Sequence, residues 1–368
     1  MRDPKIAQFI LSMSVGGGER LVRILSQQVK IAHVEHCVVC FDGITAYQDE
    51  FAREGVPLRL IKRRQSVFDW KIISPLVRYI REENIRIIHA HDLSALTYAV
   101  VAGKLCGAKV IMTEHSRHYV DASWKRRLEK WLFIMVADCL IEVSPDLQEA
   151  STQRDGIPVS RINVIENGVD IDAFKNAKAL PLHQLYGIPP GTPLLLTVGR
   201  LETIKGQQHL LRALIDPALK KSPFHVFLAG DGSNRSELTR MAHEFGLEER
   251  IHFLGARQDI AELMASCDAL VIPSESEGLP FVLLEAMATG IPVVATAVGR
   301  IPAILGGNKR GTLVPSRRPE ALADALRQIM DNKAETDRMA EAGEKFVREH
   351  YGKDAMLDGY KKIYENFL

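Results

Sequence analysis

Short β-prone runs alternate with amphipathic helical stretches along the chain, and the alternation runs through twice. The first series places strands at 6–11, 35–41, 85–89, 109–113, 139–143 and 162–165, with helices such as 19–30, 74–81 and 124–136 between them. A second series follows, with strands at 194–198, 224–229, 251–254, 269–272, 293–295 and 311–314 and helices at 206–214, 235–245, 260–265 and 281–288. Strands separated by helices make βαβ units and parallel sheets. Two series therefore imply an α/β chain of two doubly wound domains, whose ligands sit at the carboxyl ends of the strands. The expected linker is 171–191, which carries Pro181, Pro189, Pro190 and Gly191. It divides the chain into domains 1–172 and 173–351. The stretch 319–368 reads as helical with a break near Tyr351-Gly352.

Composition narrows the function classes. Lys plus Arg number 47 against 46 Asp plus Glu, a net charge of +1. That excludes a whole-chain polyelectrolyte, and with no recognised module it argues against nucleic-acid binding. Apolar residues at 46% and charged residues at 25% suit a packed globular protein rather than a disordered one. No run approaches the roughly 20 apolar residues of a membrane span. The apolar run 6–10 is too short for a signal-peptide core and reads as a strand. Cys37, Cys40, Cys106, Cys139 and Cys267 are scattered. The single C-x-x-C lies in a β-prone run without a second pair, so buried reduced thiols and a cytoplasmic location are expected.

Three loops at strand ends are suited to an anion. Val15-Gly16-Gly17-Gly18-Glu19-Arg20 follows the first strand and opens a helix, where glycine lets the backbone approach a phosphate and the helix start offers free N–H groups. Its spacing is neither G-x-G-x-x-G nor a Walker sequence, so dinucleotide and P-loop readings fail, and a plain glycine turn is the alternative. Gly199-Arg200-Leu201-Glu202-Thr203-Ile204-Lys205-Gly206 follows the first strand of the second series. Arg200 and Lys205 there could clamp a diphosphate, or could be a solvated charged loop. In the third loop, Glu277 precedes Gly278, Leu279, Pro280 and Phe281, and Glu285 lies inside the helix that Pro280 begins. Two carboxylates eight positions apart suit two parts of one long ligand better than an acid–base pair. Apolar neighbours of Glu285 imply burial, and ribose hydroxyls would satisfy it, although a helix-surface glutamate is the simpler alternative.

Histidines gather at two further strand ends, as His89-Ala90-His91-Asp92 and Glu114-His115-Ser116-Arg117-His118. A zinc site is conceivable on spacing, but a polar substrate site explains the cluster, and His89 also suits an interior structural role. Asp170-Ile171-Asp172 imitates a D-x-D metal motif but falls at the linker. No metal is expected.

At these residues the chain resembles the GT-B retaining glycosyltransferases, specifically family 4, the glycosyl transferases of group 1. Gly199-Arg200-Leu201…Lys205-Gly206, Ala229-Gly230-Asp231-Gly232, Phe253-Leu254-Gly255 and Glu277…Glu285 occur in that family's order. The resemblance implies two Rossmann-like doubly wound domains facing across a cleft, acceptor side first and donor side second, with the C-terminal helix 352–368 packed back on the first. It implies transfer of a sugar from a nucleotide-sugar, UDP-sugar before GDP-sugar, to an acceptor hydroxyl with retention, in polysaccharide, lipopolysaccharide or glycolipid synthesis. The nucleotide-sugar would be a substrate, and no cofactor is expected. Arg200 and Lys205 would hold the diphosphate; Glu277, with Gly278, Leu279, Pro280 and Phe281, would lie along the donor sugar. Glu285 would bind ribose, His115 would meet the donor sugar, and Gly16 and Gly17 would admit phosphates or acceptor. Gly199, Gly230 and Gly255 would belong to the donor site. Gly299-Arg300-Ile301-Pro302-Ala303 departs from the family, which often has a second glycine and a glutamate there. A phosphorylase or sugar-phosphate synthase on the same scaffold, or a silent nucleotide-sugar binding module, are the alternatives.

The partners expected are a nucleotide-sugar donor, a carbohydrate or lipid-linked acceptor, and an inner-leaflet membrane surface. The basic, aromatic segment 123–136 motivates the last. Its alternative is an ordinary amphipathic helix with Trp131, Leu132 and Met135 facing the core.

Overall fold

The computed structural model describes residues 3–64, 68–115 and 123–368. His118 lies outside the described residues. The chain forms two compact units, one running up to Glu166 together with Asp354–Leu368, the other Asn167–Lys353.

The first unit holds a seven-stranded parallel sheet: β1 Lys5–Met13, β2 Glu35–Ile44, β3 Leu58–Leu60, β4 Ile85–Ala90, β5 Lys109–Glu114, β6 Cys139–Glu142 and β7 Ile162–Val164. They are ordered β3-β2-β1-β4-β5-β6-β7. The second unit holds a six-stranded parallel sheet of β8 Leu194–Val198, β9 His225–Ala229, β10 Ile251–Gly255, β11 Ala269–Ile272, β12 Val293–Thr296 and β13 Thr312–Val314, ordered β10-β9-β8-β11-β12-β13. Both sheets are buried on both faces, so their strands read as apolar runs: Ile6, Phe9, Val38, Val39, Ile87 and Ile88 in one, Leu196, Val226, Leu228, Leu270 and Val271 in the other are buried. Strand order reverses beside β1 and again beside β8. The crevices between β1 and β4 and between β8 and β11 are the switch points where such sheets bind ligands.

Several elements differ from expectation. The edge strand β3 pairs with β2 over only Leu58, Arg59 and Leu60, too short for a period to show. The helix Leu93–Cys106 is apolar all round and buried against the first sheet, so it lacks an amphipathic signature. The expected linker 171–191 is part of the second unit. Its helices Ile171–Lys175 and Leu182–Leu185 bury Phe174 and Leu182, and Ile188 is buried beyond them. The boundary falls before Asn167 because Val169 N donates to Tyr351 O at 2.8 Å and Lys353 N to Val169 O at 3.0 Å, stitching the two passages of the chain together. The first aspartate of the D-x-D run is spent there as well: Asp170 caps the helix through Ala173 N at 3.1 Å and pairs with Lys353. Beyond Tyr351-Gly352, the helix Lys353–Phe367 buries Tyr360 and Tyr364 in the first unit. All five cysteines are free, and burial pushes the Cys37 and Cys40 thiols up to about 12.

The helix Trp124–Val136 turns Lys130 and Ile134 inward, leaving Trp131 and Leu132 exposed rather than core-facing. Lys130 Nζ donates to Ser151 Oγ at 2.7 Å and Asp155 Oδ2 at 3.1 Å and pairs with Glu114. Burial opposes the Lys130 charge, but Glu114, Glu142 and Asp155 outweigh it and raise the ammonium's pKa. Burial and the neighbouring Glu114 push the Glu142 carboxyl well up. Removing one partner of such a buried group strands the others. Lys130→Met should therefore cost about 3–5 kcal/mol near neutral pH, read as a lowered urea midpoint, with the deficit shrinking as acid protonates the carboxylates. An unchanged midpoint would show that the cluster carries no net stability.

Candidate functional site

In the second unit the motif residues collect at the switch point. Gly199, Arg200 and Lys205 follow β8, and Glu277 follows β11 on the adjacent strand. Lys205 Nζ donates to both carboxylate oxygens of Glu277, at 2.8 and 2.9 Å, and Ser274 Oγ donates to Glu277 Oε1 at 2.7 Å. Arg200 lies at the loop's exposed rim, 3.0 Å from Glu202. The backbone is packed tightly enough to exclude side chains. A Cβ at Gly230 would fall 1.9 Å from Gly199 O, and one at Gly299 would fall 2.1 Å from Glu277 O. Positive φ at both positions makes glycine the residue that fits. Gly230 N also donates to Gly255 O at 2.7 Å, joining the ends of β9 and β10. The stretch 299–303 thus backs the Glu277 loop, with Arg300 N donating to Gly278 O at 3.1 Å.

Leu279, Pro280 and Phe281 are buried, and Asn167 Nδ2 donates to Leu279 O at 2.7 Å. Phe281 opens the helix Phe281–Thr289, within which Glu285 is buried. Glu275 was not foreseen. Its carboxylate accepts from His209 at 2.8 Å and from Arg317 Nε at 2.8 Å. Burial works against its charge, but those hydrogen bonds outweigh it and hold Glu275 below the ordinary range. The group pins the loop start, 273–276, to the helix Gln207–Ala213. A pattern read one segment at a time could not pair Glu275 with partners 66 and 42 positions away.

In the first unit the glycine loop and the histidines meet at the other switch point. Gly16 caps the helix Gly17–Gln28 with extended backbone, and the His115 ring lies 3.5 Å from where a Gly18 Cβ would stand. A hydrogen-bonded chain leads inward from His115. Its Nε2 lies 3.3 Å from His91 Nδ1, and His91 Nε2 lies 2.7 Å from Gln8 Oε1. Gln8 Nε2 donates to the Tyr364 hydroxyl at 3.1 Å, which lies 2.7 Å from His89 Nδ1, and His89 Nε2 meets Thr113 Oγ1 at 2.7 Å. With the Gln8 amide so oriented, His91 donates through Nε2 and accepts from His115 through Nδ1. Sequence reasoning found the histidines but missed Gln8 and Tyr364. A lone glutamine inside an apolar strand was the available signal; Tyr364 had none, because its contact is 356 positions away.

Burial lowers His89 to about 3 and His115 to about 4, and drives His91 well below the ordinary imidazole value. No group of three or more His, Cys, Asp or Glu side chains among the described residues is arranged to hold a metal ion. A separate cavity lined by Ile31, His33, Asn84, Arg86 and Leu368 lies at the opposite, N-terminal edge of this sheet and meets none of the motif residues.

Two family models match in succession: Glycosyltransferase Family 4 over residues 15–173 and Glycosyl transferases group 1 over residues 181–346. The chain belongs to the group 1, family 4 glycosyltransferases. Among relatives of this family, the N-acetyl-alpha-D-glucosaminyl L-malate synthase of Bacillus anthracis is 25% identical over 88% of this chain and 90% of that protein. The UDP-Gal:alpha-D-GlcNAc-diphosphoundecaprenol alpha-1,3-galactosyltransferase of Escherichia coli is 27% identical over 79% of this chain and 78% of its own length. HepE of Anabaena, solved with UDP-glucose, superposes with a TM-score of 0.84 at 22% identity, covering 98% of this chain and 99% of that one. WaaG, a glycosyltransferase involved in lipopolysaccharide biosynthesis, does so at 0.76 and 17%, covering 97% and 99%. The fold is GT-B.

The buried histidines set a pH dependence. His36, lowered by burial to about 4, joins His89, His91 and His115 in resisting protons that the unfolded chain binds near pH 6.5. Their contribution is complete above about pH 6.5 and is lost as pH falls toward their folded values. Asp92, raised by burial to about 6, and Glu142 act in the opposite sense and offset part of it. Stability of the first unit should therefore fall between about pH 7 and pH 5 in urea titrations. A flat or rising profile would contradict neutral, buried imidazoles.

Proposed function

We propose that this family member transfers a sugar, with retention, from a nucleotide-sugar to a hydroxyl of a carbohydrate or lipid-linked acceptor in polysaccharide, lipopolysaccharide or glycolipid synthesis. The observation that carries the reading is the Lys205–Glu277 pair at the β8/β11 switch point, with Arg200 on the same loop and Glu285 buried in the following helix. A cation already held by a carboxylate is a site poised for exchange. An arriving diphosphate takes Lys205 and Arg200, and Glu277 is released toward sugar hydroxyls. Glu285 accepts from the ribose, and the helix N-terminus at Leu279–Phe281 offers N–H groups to phosphate or hydroxyl oxygens. His115, beside Gly16, Gly17 and Gly18, meets the donor sugar as a neutral ring.

In the step itself, the acceptor oxygen bonds to the anomeric carbon on the face from which the phosphate departs. The carbon–phosphate-oxygen bond breaks, and the acceptor's proton passes to a phosphate oxygen. Arg200 and Lys205 stabilise the negative charge that develops there. They provide the positive charge a metal would supply, so the reading includes no metal requirement. A UDP-sugar is preferred because the Escherichia coli relative is named for UDP-Gal and the Anabaena fold neighbour was solved with UDP-glucose. The reaction belongs at the cytoplasmic face of a membrane when the acceptor is lipid-linked.

Lys205→Ala should cost roughly 3 kcal/mol in the barrier, about a hundredfold in kcat. Glu277→Gln should tighten UDP binding by freeing Lys205 while lowering kcat. Turnover at the normal rate by Lys205→Ala would refute the clamp. Thermal shifts with UDP, GDP and ADP should rank UDP first, and excess chelator should leave transfer unchanged; a rate abolished by chelator and restored by a divalent cation would overturn the metal-free reading.

A further inference from the structure

Behind His115 stand buried polar side chains that the transfer step does not use: His91, Gln8, Tyr364, His89, Thr113 and Tyr360, none more than 4% exposed. The backbone fixes where they stand. Gln8 on β1 lies opposite His89 on β4, and His91 N donates to Phe9 O at 3.0 Å. Both tyrosines come from the C-terminal helix Lys353–Phe367. Polar groups this deep must satisfy one another, so the state of each is tied to its neighbour's.

The spacing of such a series permits two directions of hydrogen bonding, and one joint decides between them. The Tyr364 oxygen is shared by Gln8 Nε2 at 3.1 Å and His89 Nδ1 at 2.7 Å. The phenol is the acidic partner and the imidazole the basic one, so the hydroxyl proton goes to His89 Nδ1. The same oxygen then accepts from the Gln8 amide, which leaves Gln8 Oε1 turned to His91 Nε2 at 2.7 Å. His91 donates there, so its Nδ1 is a lone pair, and His115 donates to that lone pair through Nε2 across 3.3 Å. At the inner end His89 donates through Nε2 to Thr113 Oγ1 at 2.7 Å, and the Thr113 hydroxyl turns to Tyr360, 3.3 Å away. Burial keeps the three rings neutral. Each is therefore the Nε2–H tautomer, and His115 Nδ1 holds a lone pair.

We propose that Gln8 and Tyr364 are positioning residues for sugar transfer: they hold His115 as its Nε2–H tautomer, so that Nδ1 accepts a hydrogen bond from the donor sugar. The inference deepens the transfer reading and rests on it for the sugar that His115 meets. It names a feature of that sugar. A bare ring nitrogen takes a hydroxyl or an amide N–H, whereas a carboxylate would set lone pair against lone pair. The substrate class is a sugar with a hydrogen-bond donor at that position. The choice is made from behind the site, on β1 and the C-terminal helix.

The test begins with the full wild-type chain, isotope-labelled at its histidine ring nitrogens. Long-range proton–nitrogen correlation spectra separate a protonated from a bare ring nitrogen, with His91→Asn and His115→Asn identifying the signals. His89, His91 and His115 should each carry the proton on Nε2. A proton on Nδ1 of His91 or His115 would overturn the inference, and this arm needs neither a folded positioning variant nor sugar transfer. Gln8→Met removes the acceptor facing His91 and should move His115 toward Nδ1–H, as should Tyr364→Phe, which frees the Gln8 amide to turn. Gln8→Glu keeps an acceptor toward His91 and should hold the wild-type tautomer of His115. An unchanged His115 in both Gln8→Met and Tyr364→Phe would show that these residues do not set it. Calorimetry then compares UDP with whichever of UDP-glucose, UDP-galactose and UDP-N-acetylglucosamine binds the wild type most tightly. Gln8→Met should weaken that UDP-sugar about tenfold and leave UDP unchanged. An equal loss for both ligands would mark a structural role and overturn the positioning claim. Should none of the three sugars bind, the donor reading fails, while the tautomers still decide this inference.

Discussion

Each sheet grows outward in both directions from its first strand, and the chemistry of each unit follows from that. A parallel sheet needs a crossover after every strand, and the crossovers return over its faces, so all the loops that follow strands open at one edge. Where the order reverses, at β1/β4 and β8/β11, two successive crossovers leave on opposite faces and a crevice opens between their loops. Gly16–Gly18 and His91 occupy one such crevice, and Arg200, Lys205 and Glu277 the other. Neither set is adjacent in sequence. Strand order makes them neighbours.

Both units carry polar groups that are costly to bury, and in both the cost is met by long-range partners. The chain from His115 through His91, Gln8, Tyr364 and His89 to Thr113 draws on three strands, β1, β4 and β5, with the residues just past their ends, and on the C-terminal helix. Lys130 is held by groups from β5, the helix Pro145–Gln153 and the turn after it. In the second unit Glu275 ties His209 to Arg317. Such networks are stabilising only when fully assembled, which fixes each one's geometry to the completed fold. They are also the places where side chains are held ready for a ligand.

The strands other than the three-residue β3, and most helices, were legible because a two-sided buried strand and a one-sided helix impose different apolar periods. The glycines at 199, 206 and 230 and the glutamates at 277 and 285 were legible because backbone approach and buried charge tolerate few residue types. Illegible were the helix Leu93–Cys106, buried all round and so without a period, and the helices at 171–175 and 182–185, too short to show one. Misread was the inward face of Trp124–Val136. Hydrophobic pattern chose Trp131 and Leu132, while a buried ion cluster, invisible in one segment, chose Lys130.

By itself the sequence determined the alternation that makes two doubly wound sheets, and which loops carry residues fit for a diphosphate and a sugar. Those follow from local spacing and residue chemistry. Only the tertiary structure decided that Lys205 faces Glu277, that Gln8 and Tyr364 lie behind the histidines, and that one helix turns its apolar side outward. Each of these is a contact between residues far apart in the chain, and its energy exists only once the sheets have brought them together.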